Sequence, residues 1–147
     1  MVDFDPRAGF AGAPVARLAT VGPGGTPHLV PVVFALGGDS GGAWGGDSGG
    51  DVVYSAVDAK RKSTQRLRRL ANIEGNPRVS MLVDHYSDDW AGLWWVRVDG
   101  VAQIHHEGTE LHRAYQLLRA KYPQYQTVSL NGPVIAVAVT NWQSWHA

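Results

Sequence analysis

Apolar and polar residues alternate along much of this chain with the two-residue period of half-buried strands. Residues 15–21 (VARLATV) mix small and β-branched side chains and stop at Gly22-Pro23-Gly24-Gly25, a turn signal. Residues 26–36 (TPHLVPVVFAL) resume as a strand, and the two segments together predict a hairpin. Pro31 has no N–H for a ladder, which assigns its position to an edge or a bulge, where a bent backbone can approach a ligand. Further strands are predicted over residues 51–57 (DVVYSAV), 78–84 (RVSMLVD), 93–104 (LWWVRVDGVAQI) and 133–142 (PVIAVAVTNW). Two segments carry the helical period instead. Over residues 60–72, Leu67, Leu70 and Ala71 share one side with Ser63 and Thr64, leaving Arg61, Lys62, Arg66, Arg68 and Arg69 mostly outside, and Gly75-Asn76-Pro77 ends the element. Over residues 109–122, Leu111, Tyr115, Leu118 and Tyr122 form one stripe that stops at Pro123.

About six strands and two helices without βαβ alternation predict a mainly β fold, an antiparallel six-stranded barrel with flanking helices. The length of 147 residues fits a single domain with a real core. Between strands lies a glycine-dense stretch, residues 37–51, in which GGDSGG occurs twice. Ordering so much glycine goes uncompensated, and its Asp residues lack the spacing of a calcium loop, so a flexible insertion at a hairpin tip is expected.

Composition narrows the chemistry. Lys plus Arg and Asp plus Glu are both 13, so the general positive field of a nucleic-acid coater is lacking. There is no cysteine, which removes disulfides, thiolate metal sites and cysteine nucleophiles. No apolar run reaches membrane-span length, and residues 1–10 (MVDFDPRAGF) lack a signal-peptide core; a soluble, cytoplasmic location is expected.

The charge is not spread evenly. Six of the 13 Lys and Arg residues (Lys60, Arg61, Lys62, Arg66, Arg68 and Arg69) fall within ten positions. A solvated helix face, a nucleic-acid contact and a phosphate site are the three readings. Cations in a first helical turn are disfavoured by about 0.3–1 kcal/mol each. A bound anion reverses that balance, because charge-assisted hydrogen bonds return about 1.5–3 kcal/mol each and the turn's free N–H groups add to them. Ser55, Ser63 and Thr64 bring hydroxyls nearby in sequence.

The series ARLATV, PHLVPVVF, VVYSAVDAKRKS, NPRVSMLVD and WWVRVDGVAQI, in this order, resembles the split β-barrel flavin-binding proteins related to pyridoxamine 5′-phosphate oxidase. Within them it is most similar to the actinobacterial branch that uses a deazaflavin, coenzyme F420. The resemblance implies an F420-dependent oxidoreductase transferring hydride to a small-molecule substrate. It implies a homodimer with the cofactor in a groove between subunits. Arg61 and Lys62 are implied to bind the cofactor phosphate, assisted by Lys60, Ser63 and Ser55. Val30, Pro31, Val32, Val33 and Phe34 are implied to lie along the ring system. Trp95 stands where FMN-dependent oxidases place a glutamine against the flavin, and FMN is the alternative cofactor. The ending NWQSWHA has no arginine after Arg119, unlike the oxidases' substrate-phosphate segment, which speaks against amine oxidation of pyridoxamine phosphate. A non-catalytic flavin or deazaflavin carrier is the alternative from another functional class.

Other residues add little chemistry. Trp94 and Trp95 point to opposite faces of a strand, one toward the core and one toward the groove. His105, His106, Glu107 and His112 match no metal motif, and no GxSxG elbow or phosphate-binding P-loop is present, so neither metal nor nucleic acid is expected as a partner.

Overall fold

The computed structural model describes residues 3–38, 50–57 and 67–147. A first helix, α1 (Pro6–Gly12), was not legible in the sequence pattern. Asp5 caps it by accepting from the N–H groups of Arg7 and Ala8 at 3.1 and 3.3 Å, and Pro6 opens its first turn. Its Phe10 is fully buried. The strands are β1 (Ala16–Val21), β2 (Pro27–Val32), β3 (Ala35–Gly37), β4 (Val52–Ala56), β5 (Arg78–His85), β6 (Trp94–His105) and β7 (Val134–His146). Between them run α2 (Arg68–Gly75) and α3 (Thr109–Lys121).

The seven strands of the described residues belong to one sheet, in the order β2-β1-β5-β6-β7-β4-β3, and every neighbouring pair is antiparallel. This corrects the expected six-stranded barrel. No ladder joins β2 to β3, so the sheet is open, with those two strands as its edges. The expected single strand over residues 26–36 is likewise two strands on opposite edges, joined through Val33 and Phe34. Side chains take the place of a ladder there. Ser55 Oγ donates to the Val33 carbonyl at 2.8 Å. Tyr122 Oη accepts from Phe34 N–H at 3.1 Å and has the carbonyls of Pro14 and Phe34 at 2.9 and 3.0 Å for its own proton.

The core follows the strand alternation. Ala16, Leu18, Val32, Val79, Met81, Val83, Val96, Val98, Ile135 and Val137 pack into one buried cluster with Phe10 and Phe34. On the other side of β4, the stripe Leu111, Ala114 and Tyr115 of α3 packs on Val52, Tyr54, Val134 and Ala136. β4 is therefore buried on both faces. β7 is central: it pairs with β6 over Trp94↔His146 to His105↔Val134, and with β4 over Val52↔Ala138 to Ala56↔Val134.

The helix expected over residues 60–72 can be compared from Leu67 onward. Leu67 is extended (φ −66°, ψ 133°), and α2 starts at Arg68. Residues 60–66 lie outside the described residues. The buried positions of α2 are Asn72 and Ile73, and Ala71 is exposed. Arg69 is not fully solvated either: its Nε is buried, and burial pulls its guanidinium below the ordinary arginine range.

Candidate functional site

The side of the sheet away from the core carries a groove of about 610 Å³ across β2, β1, β5 and β6. Strand register explains its lining. Arg17 pairs with Pro31 and with Leu82, which pairs with Arg97; Ala19 pairs with Leu29 and with Ser80; Asp84 pairs with Trp95, which pairs with Trp145. Because side chains on paired residues share a face, these positions form adjacent rows pointing outward. Tyr86 lines one end. The result is an aromatic and aliphatic floor with cations at its side, the composition expected of a site for a planar organic ligand.

The two groove arginines differ. Arg97 is tied to Asp99, with Nε at 3.0 Å from Oδ1 and Nη2 at 3.3 Å from Oδ2. Asp99 also accepts from Ser80 Oγ at 2.7 Å and Asn141 Nδ2 at 3.0 Å. Burial pushes the Asp99 carboxyl up, but the bonds from Ser80, Asn141 and Arg97 and the Arg97 charge outweigh it, holding the group below the usual range. Arg17 has no ion-pair partner among the described residues and is the cation free to meet a ligand.

Of the residues singled out from sequence, those described occupy different surroundings. Trp95 lines the groove, while Trp94 packs against the core on the opposite face. Val32 and Phe34 are core residues, Val30 packs against them, and Val33 is half-buried against α3. Pro31 is exposed on the groove's face of β2. Ser55 is 3% exposed and spends its proton on Val33. Lys60, Arg61, Lys62 and Ser63 lie outside the described residues. Among the groove residues that sequence reasoning missed are Arg17, Leu29 and Arg97. For Arg17 and Leu29 the signal was present, since each is flanked by inward-facing residues in a strand of period two.

Behind the β2–β3 link sits a buried amine. Lys121 Nζ lies 3.7 Å from the centroid of the Phe34 ring and 5.2 Å from that of Tyr122, and it has no hydrogen-bond partner among the described residues. Burial lowers its pKa from the ordinary lysine value to about 8. The folded chain therefore binds this proton less tightly than the unfolded chain does. Stability should rise as pH increases from about 8 toward the unfolded lysine value, and fall as pH drops through 8. Chemical denaturation at pH 7 and 9 is expected to show the increase in the parent protein and a smaller one in Lys121→Met. Equal increments in both would assign the pH dependence to other groups.

A family model described as pyridoxamine 5′-phosphate oxidase matches residues 6–146. No curated protein matches the sequence. Among solved structures, a conserved hypothetical protein from Mycobacterium tuberculosis superposes with a TM-score of 0.67 at 24% identity, covering 95% of this chain and 81% of that one. A heme binding protein from Mycobacterium smegmatis gives 0.69 at 21% identity, covering 99% of this chain and 55% of its own length. A FAD-binding protein from Mesorhizobium loti gives 0.64 at 17% identity, with 94% and 87% covered. At these identities the likeness is one of fold.

Proposed function

The chain belongs to the pyridoxamine 5′-phosphate oxidase family, and from that premise we propose that it is a flavin-binding oxidoreductase, with FMN as its cofactor. The observation that carries this reading is the groove beside edge strand β2, walled by Leu29 and Trp95 and flanked by Arg17, which has no ion-pair partner among the described residues. Its volume lies within the ~300–1,000 Å³ of small-molecule sites. A bound flavin supplies hydride transfer, and the protein supplies binding and orientation.

In this reading Trp95 and Leu29 wall the ring system, and Arg17 faces the anionic part of cofactor or substrate. Arg61 and Lys62 hold the phosphate, assisted by Lys60 and Ser63. Pro31 and the free edge of β2 border the ring; Val30, Val32 and Phe34 shape that edge from within the core. Ser55 fixes the Val33 carbonyl and so acts on the edge's position. The proposed assembly is a homodimer that completes the groove from a second copy. Supporting it, Leu29 is 65% and Trp145 43% exposed on the groove's face.

Coenzyme F420 is the second candidate. Trp95 favours it, since an indole in the groove offers no amide to the polar end of a flavin ring. Titration of the purified protein with FMN, FAD, coenzyme F420 and hemin, followed by turnover with a hydride acceptor, tests the proposal. Saturable FMN binding with turnover supports it; F420 binding alone transfers the chain to the deazaflavin reading. Stoichiometric binding without turnover makes it a carrier, and binding of hemin alone, or of nothing, overturns the flavin assignment.

A further inference from the structure

Away from the groove, a pocket of about 400 Å³ lies between α2 and the β1–β2 turn. Arg68 and Asn72 are four residues apart on α2 and both line it, as side chains one helical turn apart should. His28 of β2 and Thr26 of the turn line the opposite wall. Two polar atoms here have no partner among the described residues: Asn72 Oδ1 and His28 Nδ1 are both buried. Asn72 is 3% exposed, and its Nδ2 is held by Thr20 Oγ1 at 3.0 Å.

An orphaned buried amide is costly, by about 1–3 kcal/mol, and is ordinarily satisfied by water or a ligand. The space here is many times the ~30 Å³ share of one water. The chemistry of the wall is also one-sided. It holds a guanidinium, an imidazole and a hydroxyl, with no acidic side chain among the lining residues. Arg68 is the first residue of α2, which has no side-chain cap, so the positive end of the helix dipole lies on the same side as its guanidinium. Asn72 can serve either need: a half-turn of its amide, with the Thr20 hydroxyl changing from acceptor to donor, presents Nδ2 to the pocket. Gly22 makes room for this group, since a Cβ there would sit 3.2 Å from Asn72 Oδ1.

We propose that this pocket binds a small phosphate, free or as the phosphate group of a monoester, on Arg68, His28 and Asn72. The pocket shares no lining residue with the groove, and the proposal does not depend on the flavin reading. The test is a titration with inorganic phosphate and, separately, with glycerol phosphate, following the His28 imidazole signals by NMR; His28→Gln assigns them. Saturable shifts at His28 are expected, with affinity about ten-fold weaker in Arg68→Gln, the loss of one charge-assisted hydrogen bond. The Arg61→Ala plus Lys62→Ala variant should retain them. Stronger binding of glycerol phosphate identifies a monoester as the ligand, and stronger binding of inorganic phosphate the free ion. Absence of saturable shifts with both probes overturns the site. So does a phosphate response that survives Arg68→Gln unchanged or vanishes with Arg61 and Lys62.

Discussion

Phe34→Ala is expected to lower folding stability by about 3–5 kcal/mol. The loss would appear as a reduced urea midpoint at unchanged slope. The ring is fully buried, lies 4.9 Å from that of Phe10 between centroids, and provides the face on which the Lys121 ammonium rests. Truncation opens a cavity and removes the aromatic surface that offsets part of the amine's burial. Position adds to size. Phe34 lies in the link between the two sheet edges, so the cavity adjoins main chain held by Ser55 and Tyr122 rather than by a ladder. Tyr122→Phe removes one of those holds and orphans the Phe34 N–H, at a cost of about 1–3 kcal/mol. A loss below about 1 kcal/mol for Phe34→Ala, against the usual range for a buried ring, would show that the link repacks freely and that its position carries no special weight.

The second large effect concerns binding. Arg61→Ala combined with Lys62→Ala is expected to weaken FMN affinity by more than a hundredfold. Two charge-assisted hydrogen bonds at about 1.5 kcal/mol or more each amount to that ratio. Thermal stability is expected to be unchanged, because the apolar spacing leaves both positions outside the predicted packing face, and such substitutions seldom cost more than a few tenths of a kcal/mol. Fluorescence titration of the double variant beside the parent is the measurement. Equal affinities would place the cofactor phosphate elsewhere and remove the reason for linking that basic cluster to the groove.

Much of the fold was legible because local chemistry and tertiary packing agree. The hairpin of β1 and β2 follows from alternating side chains and the Gly-Pro-Gly-Gly turn, where Gly24 and Gly25 take φ of 76° and 86°. The α3 stripe is buried as its spacing requires. Closure of the sheet was not legible, because strand period says which face is buried and nothing about which edge meets which. The break at Val33 and Phe34 was hidden for a related reason. Both residues suit a strand, and the hydroxyls that redirect their backbone come from Ser55 and from Tyr122, 88 positions after Phe34. Leu67 was read as helical from apolar spacing that its extended backbone does not support. Of the candidate site, Trp95 was found through motif order. Arg17 and Leu29 were passed over because a solitary exposed residue in a strand is ordinary until register sets it beside others.

The position of β7 has a consequence for biosynthesis. It is the last strand in sequence, yet it lies between β6 and β4. While the chain is being made, β5 and β6 can pair soon after they emerge, but the β3–β4 hairpin has no second neighbour until residues 134–146 arrive. Until then both β6 and β4 offer unpaired backbone to any other extended chain, the condition under which nascent proteins aggregate. A ribosome stalled before Val134 would hold a chain with two unfinished margins, and one late strand completes both.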